Sequence, residues 1–390
     1  MKFGILKDIK NGEYRVIATP TEVGILIADG NEVLICSGAG FKAGFDDADY
    51  AKAGAVVVDD NETIWRECDF VAKVKEIEPS EYELLREGQI IYTCIHPAAH
   101  KEEVDVLLDK KVIAFTAEDS HRFGSPNCEA AGKAGAFMGL WSMMSINGGS
   151  GKFASGLAGA PGVRAVVCGC GIVGRAAIEV LVNLGCQVTV ADVNVGVLRD
   201  ISSKYNGKIS TMISNRINMQ NILPSTDMVV NCVRWPKDAT EYMIDRAMVA
   251  SMKRGSVIVD ISNDYGCIET FHETTHENPT YIEEGVVHYC VSNIPGAIAG
   301  STSVSYAASV LPHFINIINN GVAGACVKDG FLRRSLTVYR GYLTHEETSG
   351  IQNRPWIPPE KILGIEDQKL DPAPKTTLTR SDNFYEKVDI

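Results

Sequence analysis

Short apolar runs alternate with helix-like segments from the N-terminus onward. Rich in Val, Ile and Phe, these runs lie at 3–6, 33–36, 56–58, 70–74, 90–95 and 112–115. Between the first two, Thr19-Pro20-Thr21-Glu22 supplies a capping hydroxyl, a proline at the first helical position and an acid at the third, and Gly30 ends the segment. Further helices are predicted at about 79–87 and 100–109. This alternation is typical of a parallel sheet with crossover helices.

A second alternating region follows a helix-like segment at 129–144. Its apolar runs lie near 164–168, 187–191, 228–233, 256–260 and 287–291. A Ser- and Ala-rich stretch at about 302–320 is predicted to be a helix that returns the chain to the first region. We therefore predict an α/β protein with two parallel-sheet units. From about residue 350 the chain is rich in Pro, Lys, Asp and Thr, and we expect it to be only partly ordered.

Composition and charge narrow the function classes. The 390 residues are 45% hydrophobic and 22% charged, which is typical of a globular protein and excludes wholesale disorder or a collagen-like chain. At about 150 residues per domain, this length predicts two or three domains. The net charge of −12 opposes binding to a phosphate backbone, so we predict no nucleic-acid partner.

The cysteines and the apolar runs predict the compartment. The 11 cysteines lie mostly inside apolar runs, with no CxxC pair or zinc-like spacing, so we expect buried, reduced thiols. At the N-terminus only four apolar residues follow one another before charge returns. No later run reaches the roughly 18 apolar residues of a membrane span. We predict a soluble cytoplasmic protein without a membrane partner.

The strongest local signal is Gly169-Cys170-Gly171-Ile172-Val173-Gly174, which follows an apolar strand and opens a helix. Gly169 allows a tight turn, Gly171 lets the backbone approach a pyrophosphate, and Gly174 lets helix and strand pack closely. Asp192 ends the next strand, where its carboxylate can accept both ribose hydroxyls and would repel a 2′-phosphate. The motif predicts NAD rather than NADP. A glycine-rich turn with an unrelated acid downstream is the structural alternative.

Charged residues close several of the apolar runs. Lys73 and Lys75 occupy alternate positions at the end of one run, and His96 closes another. Ligands of open α/β sheets bind outside the carboxyl ends of the strands, so Lys75 and His96 are candidates for one crevice. A cation suits a substrate carboxylate or carbonyl, and an imidazole suits proton transfer near neutral pH. A solvated lysine and a structural histidine remain open, as does a turn-forming role for Asp264 beyond the strand 256–260.

Two motif matches are rejected. His272-Glu273-Thr274-Thr275-His276 matches the HExxH zinc signature, which requires a helix. The β-branched pair inside it and the nearby Asn278-Pro279 favour a loop, and no third ligand is evident. The glycine-rich segment 147–152 is followed by Phe153, where a phosphate-binding loop needs Ser or Thr, so it is predicted to be a linker. We predict no metal site.

Several segments carry a family resemblance. They are MKFGILKDIKNGEYRV with TPTEV, GAG at 38–40, KVKE at 73–76, the strand before His96, EAAG at 129–132, GCGIVG, VDISND and SNIPG. From residue 1 to about 365, the chain resembles the alanine dehydrogenase and pyridine nucleotide transhydrogenase α-subunit family, including the opine-type carboxyethyl-ornithine and saccharopine dehydrogenases. The resemblance implies two Rossmann-like parallel-sheet domains flanking a cleft. The implied substrate domain comprises 1–128 and 305–390, and the NAD-binding domain comprises 129–304.

The resemblance also implies residue roles. Arg15 and Lys75 would hold the substrate carboxylate and carbonyl oxygen, His96 would act as acid and base, and Asp264 would assist water or ammonia. The implied cofactor contacts are Gly169, Gly171, Ile172, Val173, Gly174, Asp192, Cys232, Val233 and Asn293. The implied reaction is the reversible, NAD-dependent oxidation of a small L-amino acid through an imine to a 2-oxo acid and ammonium. The family also implies a homo-oligomer.

Two other functions remain open. An opine-type reductase would use the same lysine and histidine to join a 2-oxo acid to an amino acid by NAD(P)H reduction of an imine. A transhydrogenase-like module would bind NAD without catalysing a reaction on amino acids. The segments containing Arg234, Trp235 and Tyr265 depart from the usual pattern of alanine dehydrogenases, and we expect these side chains to reshape the pocket for a different substrate.

Overall fold

The computed structural model describes residues 1–236 and 239–374, without the side chain of Asp264. The chain forms two units. One comprises Met1–Pro126 together with the segment that begins at Ile298, and the other comprises Asn127–Ala297. The sequence predicts partial order from about residue 350. The structure describes this segment as far as residue 374, including a helix at Pro359–Ile362, and the rest of the prediction lies outside the described residues.

The described residues form fifteen strands, numbered in chain order. They are β1 Lys2–Ile5, β2 Glu32–Cys36, β3 Val56–Val58, β4 Phe70–Ala72, β5 Ile90–Thr93, β6 Ile113–Thr116, β7 Arg164–Cys168, β8 Gln187–Asp192, β9 Ile209–Ile213, β10 Met228–Asn231, β11 Val257–Asp260, β12 Thr280–Glu283, β13 Val286–Tyr289, β14 Leu336–Tyr339 and β15 Tyr342–Leu343.

The α-helices of the described residues are numbered in the same way. They are α1 Pro20–Ala28, α2 Asp47–Lys52, α3 Asn61–Glu67, α4 Lys101–Asp109, α5 Pro126–Ser142, α6 Ile172–Asn183, α7 Val195–Tyr205, α8 Arg216–Ile222, α9 Arg246–Ser251, α10 Ala299–Lys328, α11 Gly330–Ser335, α12 Glu346–Gln352 and α13 Pro359–Ile362.

Each unit is built on one mostly parallel sheet. The first has eight strands in the order β15-β14-β6-β5-β4-β1-β2-β3, with antiparallel pairing only at β14. The second has seven strands in the order β12-β13-β11-β10-β7-β8-β9, with one antiparallel pair between β12 and β13. In each sheet the chain adds strands first on one side of its initial strand and then on the other. The point of reversal lies between β1 and β4 in the first sheet and between β7 and β10 in the second. Such switch points are where ligands bind in open α/β sheets. The predicted α/β class is confirmed.

The long helix α10 belongs to the core of the first unit. The ring centroid of Phe314 lies 5.0 Å from that of Phe3, 5.5 Å from Phe70 and 5.1 Å from Tyr92. The predicted helix at 302–320 is therefore confirmed, and it continues across a kink at Gly321. Among the described residues, this helix with the turn before it is long and apolar enough to cross a membrane by length and composition.

The structure confirms the predicted helix α1 but not the helix predicted at 79–87. Thr19 and Glu22 form the predicted capping box of α1. The helix predicted at 79–87 is wrong, because Pro79–Leu84 forms a 3-10 helix and Leu85 is extended. Its conformation accompanies a buried ion pair, in which Glu81 Oε2 lies 2.7 Å from Lys73 Nζ. A tertiary contact has overridden local helix propensity here.

The segment 272–276 and the cysteines have the local structure that the sequence predicts. The HExxH segment 272–276 has no helix, so its histidines do not share a helix face. The cysteines are unpaired, and all are buried except the half-buried Cys128 and Cys232. Both observations agree with the sequence analysis.

Candidate functional site

The glycine-rich turn after β7 requires glycine at two positions. Gly169 has a φ of +84°, and a Cβ on it would lie 2.9 Å from the carbonyl oxygen of Cys232. A Cβ on Gly174 would lie 1.9 Å from the carbonyl oxygen of Gly169. Gly171 differs, because a Cβ there would meet no atom within 4 Å. The first and third glycines are needed by the fold, whereas the second leaves open space beside the backbone.

The start of helix α6 faces this turn. Gly171 is the residue at the N-terminal cap, and it has no side chain with which to cap the helix. The first N–H groups of a helix lack partners within the helix and carry partial positive charge, so they attract anions. Ile172 is exposed and Val173 is half-buried. This arrangement fits the pyrophosphate of a dinucleotide.

Asp192 lies at the carboxyl end of β8, next to the same turn. Its Oδ2 accepts a hydrogen bond from the Cys170 backbone N–H at 2.7 Å, and its Oδ1 accepts one from Asn194 N–H at 2.9 Å. A carboxylate offers about four acceptor positions, so the two backbone bonds leave capacity for ribose hydroxyls. The half-buried position and fixed orientation of Asp192 fit that task.

The other predicted cofactor residues, and the predicted catalytic residue Asp264, lie at or beyond strand ends in the same unit. Cys232 directly follows β10, and burial raises the pKa of its thiol well above the ordinary value. Val233 packs against the turn, because its Cγ2 lies 3.2 Å from the position that a Cβ on Gly169 would occupy. Asn293 is buried beyond β13. Asp264 lies in the short 3-10 helix after β11, and its side chain is outside the description.

In the first unit, Arg15 is held by Glu13. Arg15 Nε donates to Glu13 Oε1 at 2.8 Å, a second guanidinium nitrogen pairs with Oε2, and both side chains are buried. Burial opposes the charge of Arg15, but the charge and hydrogen bonds of Glu13 outweigh it and raise the pKa of the guanidinium further. Arg15 is therefore a fixed buried cation.

Lys75 and His96 are brought together by a carboxylate that the sequence analysis did not select. Glu76 Oε1 lies 3.3 Å from Lys75 Nζ and 3.7 Å from His96 Nε2, while Oε2 lies 2.9 Å from Lys10 Nζ. Burial alone would raise the pKa of Glu76, but Lys75, His96 and Lys10 outweigh burial and hold it well below its usual range. Glu76 is thus an ionised carboxylate between the two predicted catalytic side chains.

The charge of Lys75 is secured by the same contact. Burial disfavours the ammonium, but the charge of Glu76 outweighs burial and raises the pKa of Lys75. The positive charge of Arg15 lowers the pKa of Lys75, so the two cations influence each other. Lys75 therefore remains a protonated cation at neutral pH.

His96 is positioned by its own backbone. Its φ is +49°, in a region that non-glycine residues rarely occupy. Its N–H donates to Glu118 Oε1 at 2.6 Å, and its ring Nδ1 lies 3.4 Å from the same oxygen. The side chain is 41% exposed, so it can reach a ligand. Strained backbone of this kind is often retained at functional positions.

Lys73 has a different role from Lys75, although two positions separate them. β4 ends at Ala72, so the alternation of a strand no longer decides where these side chains lie. Lys73 is 1% exposed, with Nζ 2.7 Å from Glu81 and 3.7 Å from Asp8. It is a buried structural cation, whereas Lys75 belongs to the candidate site.

Three carboxylates in the first unit were missed by sequence reasoning: Glu13, Glu76 and Glu118. A usable signal existed for Glu76, because it directly follows Lys75 beyond a strand end. Glu118 follows β6, a neighbour of β5, and would have been found by collecting every charge beyond adjacent strand ends. Glu13 gave less signal, since its pairing with Arg15 depends on the conformation of a loop.

One further cluster could resemble a metal site. Ligand atoms of Asp119, His345 and Glu347 lie within 4.8 Å of one another. However, His345 Nε2 lies 2.8 Å from Asp119 Oδ2, and its Nδ1 lies 2.9 Å from the Thr348 hydroxyl. Both ring nitrogens are therefore engaged with protein groups, and hydrogen bonding accounts for the cluster.

The two parallel sheets, the glycine-rich turn and the charged strand ends are typical of pyridine-nucleotide-dependent oxidoreductases. Models of the alanine dehydrogenase/PNT N-terminal and C-terminal domains match residues 4–125 and 136–346. The chain belongs to the alanine dehydrogenase/PNT family. The resemblance seen in the sequence is confirmed, and the protein is an oxidoreductase of a family whose cofactor is a pyridine nucleotide.

Individual relatives agree with this assignment. Alanine dehydrogenase of Methanococcus maripaludis is 35% identical over 93% of this chain and 100% of its own length. Alanine dehydrogenase of Bacillus subtilis is also 35% identical, over 93% of this chain and 98% of its own. A solved L-alanine dehydrogenase superposes with a TM-score of 0.84 at 33% identity, covering 90% of this chain and 99% of that one. A Sinorhizobium meliloti transhydrogenase, at 21% identity and a TM-score of 0.71 over 89% and 99%, shares the fold.

Proposed function

We propose that the protein catalyses the reversible, NAD-dependent oxidative deamination of a small L-amino acid to a 2-oxo acid and ammonium. The observation that carries this proposal is the placement of Lys75 and His96 on either side of the ionised Glu76, in a member of the alanine dehydrogenase family. We further propose that it acts in the cytoplasm as a homo-oligomer, as the sequence analysis predicted, and light scattering would test its subunit number.

NAD is the proposed cofactor. The start of α6 and the open space at Gly171 suit a pyrophosphate, and Asp192 suits the adenosine ribose. The carboxylate of Asp192 would repel a 2′-phosphate, which favours NAD over NADP. When bound, NAD supplies the acceptor for the hydride that leaves the substrate Cα. The remaining proposed contacts are Gly169, Ile172, Val173, Gly174, Cys232, Val233 and Asn293.

The proposed substrate contacts come from fixed cations. We assign Arg15 to the substrate carboxylate, as the family resemblance implies, because its fixed positive charge attracts an anion. Lys75 binds the oxygen that becomes the carbonyl of the 2-oxo acid and stabilises negative charge there. Its raised pKa suits this task, since a permanent cation polarises the oxygen without exchanging a proton.

Proton transfer is assigned to His96. Hydride loss from Cα and proton loss from nitrogen give an iminium ion, and water then adds to its carbon. His96 takes one proton from this water to give a carbinolamine and returns it to the nitrogen. The carbinolamine hydroxyl then loses its proton as the C=O bond forms and the C–N bond breaks, and the released ammonia takes up that proton to become ammonium. Imidazole is suited to such exchange near neutral pH. We assign Asp264 to the orientation of water or ammonia.

The test is an NADH-oxidation screen of 2-oxo acids, crossed with ammonium and with free amino acids. Oxidation that requires ammonium supports the proposed deamination. Oxidation that requires a second amino acid instead would assign opine-type reduction. NADH binding without oxidation under any combination would assign a non-catalytic, transhydrogenase-like module and overturn the proposal.

A further inference from the structure

We propose that His276 is a positioning residue for the nicotinamide half of the cofactor, an inference that rests on the proposed function. His276 holds the loop that carries Asn293, one of the proposed cofactor contacts, by a hydrogen bond to the backbone of that loop. The segment 272–276, which matches a zinc signature but forms no helix, would then serve cofactor binding instead.

The hydrogen bond joins the ring of His276 to the loop after β13. Its Nε2 lies 2.9 Å from the backbone carbonyl oxygen of Asn293. A carbonyl oxygen only accepts hydrogen bonds, so Nε2 carries the proton in this contact. His276 is half-buried and Asn293 is buried, so water competes with the bond less than it would at an exposed site.

Thr274 fixes the same segment to the end of β13. Its N–H donates to the Cys290 carbonyl at 3.1 Å, and its hydroxyl accepts a hydrogen bond from the Cys290 N–H at 3.3 Å. Thr274 also pairs with Val291 in an isolated parallel bridge. His276 and Asn293 each lie two residues further along, so the register of this bridge brings them opposite each other.

The Asn293 carbonyl oxygen receives a second donor. The N–H of Gly296 donates to it at 3.0 Å, which closes the turn that follows. Replacement of His276 leaves this second bond in place, so we expect the turn to form without the histidine. What the histidine adds is a tie between the turn and a segment anchored on β13, which restricts where Asn293 lies.

The strand order indicates which half of the cofactor this loop serves. The sheet reverses between β7 and β10, and Asp192 at the end of β8 is proposed to bind the adenosine ribose. A dinucleotide crosses such a switch point with one half on each side. Asn293 follows β13, which lies on the side of the sheet opposite β8. The loop that His276 holds therefore belongs to the nicotinamide side.

The test compares NADH with ADP, which keeps the adenosine and both phosphates but lacks the nicotinamide half. Fluorescence titration gives the dissociation constant of NADH, and isothermal titration gives that of ADP. The variants are His276→Ala and His276→Gln, whose amide N–H replaces the ring donor. His272→Ala is the matched control, because it removes the other histidine of the segment, an exposed ring stacked on Tyr281 with 3.4 Å between ring centres.

We expect His276→Ala to weaken NADH binding by about fivefold, the scale of one lost hydrogen bond, with unchanged ADP affinity. His276→Gln should restore NADH affinity, and His272→Ala should leave both affinities unchanged. Normal NADH binding in His276→Ala would overturn the inference. So would equal weakening of NADH and ADP, a failure of His276→Gln to restore NADH affinity, or an equal loss in His272→Ala.

Asp192→Ala distinguishes failure of this inference from failure of the proposed NAD site. It should weaken NADH and ADP together, because both ligands contain the adenosine ribose. If it does so while His276→Ala binds NADH normally, the inference about His276 fails and the NAD site stands. If Asp192→Ala binds both ligands normally, or the unaltered protein binds neither, the proposed NAD site fails and this inference fails with it.

Discussion

Glu76 and His96 follow neighbouring strands of one sheet, and Glu76 Oε1 lies 3.7 Å from His96 Nε2. The same oxygen lies 3.3 Å from Lys75 Nζ. A single buried carboxylate thus contacts both side chains to which the proposed reaction assigns a role. Its charge should therefore control the pH range in which the enzyme works.

Glu76→Gln should lower the upper pH limit of activity. Glu76 raises the pKa of Lys75 against the effect of burial, so loss of its charge leaves burial to lower that pKa. Lys75 would then lose its proton at lower pH, and the basic limb of the kcat/KM profile should move to lower pH. Glu83→Gln, at a carboxylate that is 90% exposed, is the control. An unshifted basic limb in Glu76→Gln would contradict this assignment.

Lys75→Ala and His96→Ala should impair turnover without impairing cofactor binding. Each variant is expected to lower kcat by roughly a hundredfold or more, because a charge or a proton-transfer group is lost. The dissociation constant of NADH, from fluorescence titration, should stay near that of the unaltered enzyme. Lys101→Ala removes an exposed lysine of α4 and should retain full activity. Full activity in either site variant would refute the proposed roles.

Alanine at two glycines should separate cofactor binding from folding. A Cβ at position 171 meets no protein atom within 4 Å, so Gly171→Ala should weaken NADH binding with little change in the free energy of unfolding. A Cβ at position 174 would lie 1.9 Å from the Gly169 carbonyl oxygen, so Gly174→Ala should weaken both. Fluorescence titration and urea unfolding measure the two quantities. Normal NADH binding in Gly171→Ala would argue against the dinucleotide site.

Lys73→Met should destabilise the fold. It would leave Asp8 and Glu81 buried without their cation, which typically costs about 3–5 kcal/mol of unfolding free energy. Lys110→Met is the matched control, because its partner Glu83 is 90% exposed and such surface pairs contribute about 0–1 kcal/mol. Urea unfolding of both variants measures the difference. Equal stability of the two would show that the Lys73 ion pairs are dispensable.

The fold was predictable where periodicity and local chemistry agree. The capping signal of Thr19 and Glu22 led to α1, and the glycine spacing after β7 led to a strand, a turn and a helix. The prediction for 79–87 failed because the buried contact of Glu81 with Lys73 is formed between segments eight residues apart, which helix periodicity does not encode.

The candidate site was predictable in part. Lys75 and His96 could be paired from sequence, because carboxyl ends of parallel strands share one edge. The carboxylate between them was not identified, since the orientation of Glu76 depends on how the chain bends after β4. The positive φ of His96 and its backbone bond to Glu118 likewise depend on three-dimensional packing.

The position of Phe314 has a consequence for synthesis on the ribosome. Its ring completes a cluster with Phe3, Phe70 and Tyr92, yet it emerges long after those residues. The segment Met1–Pro126 therefore lacks part of its hydrophobic core while Asn127–Ala297 is being translated. We expect nascent chains that stop before Ala299 to engage chaperones through this early segment, and chains that include α10 to escape them.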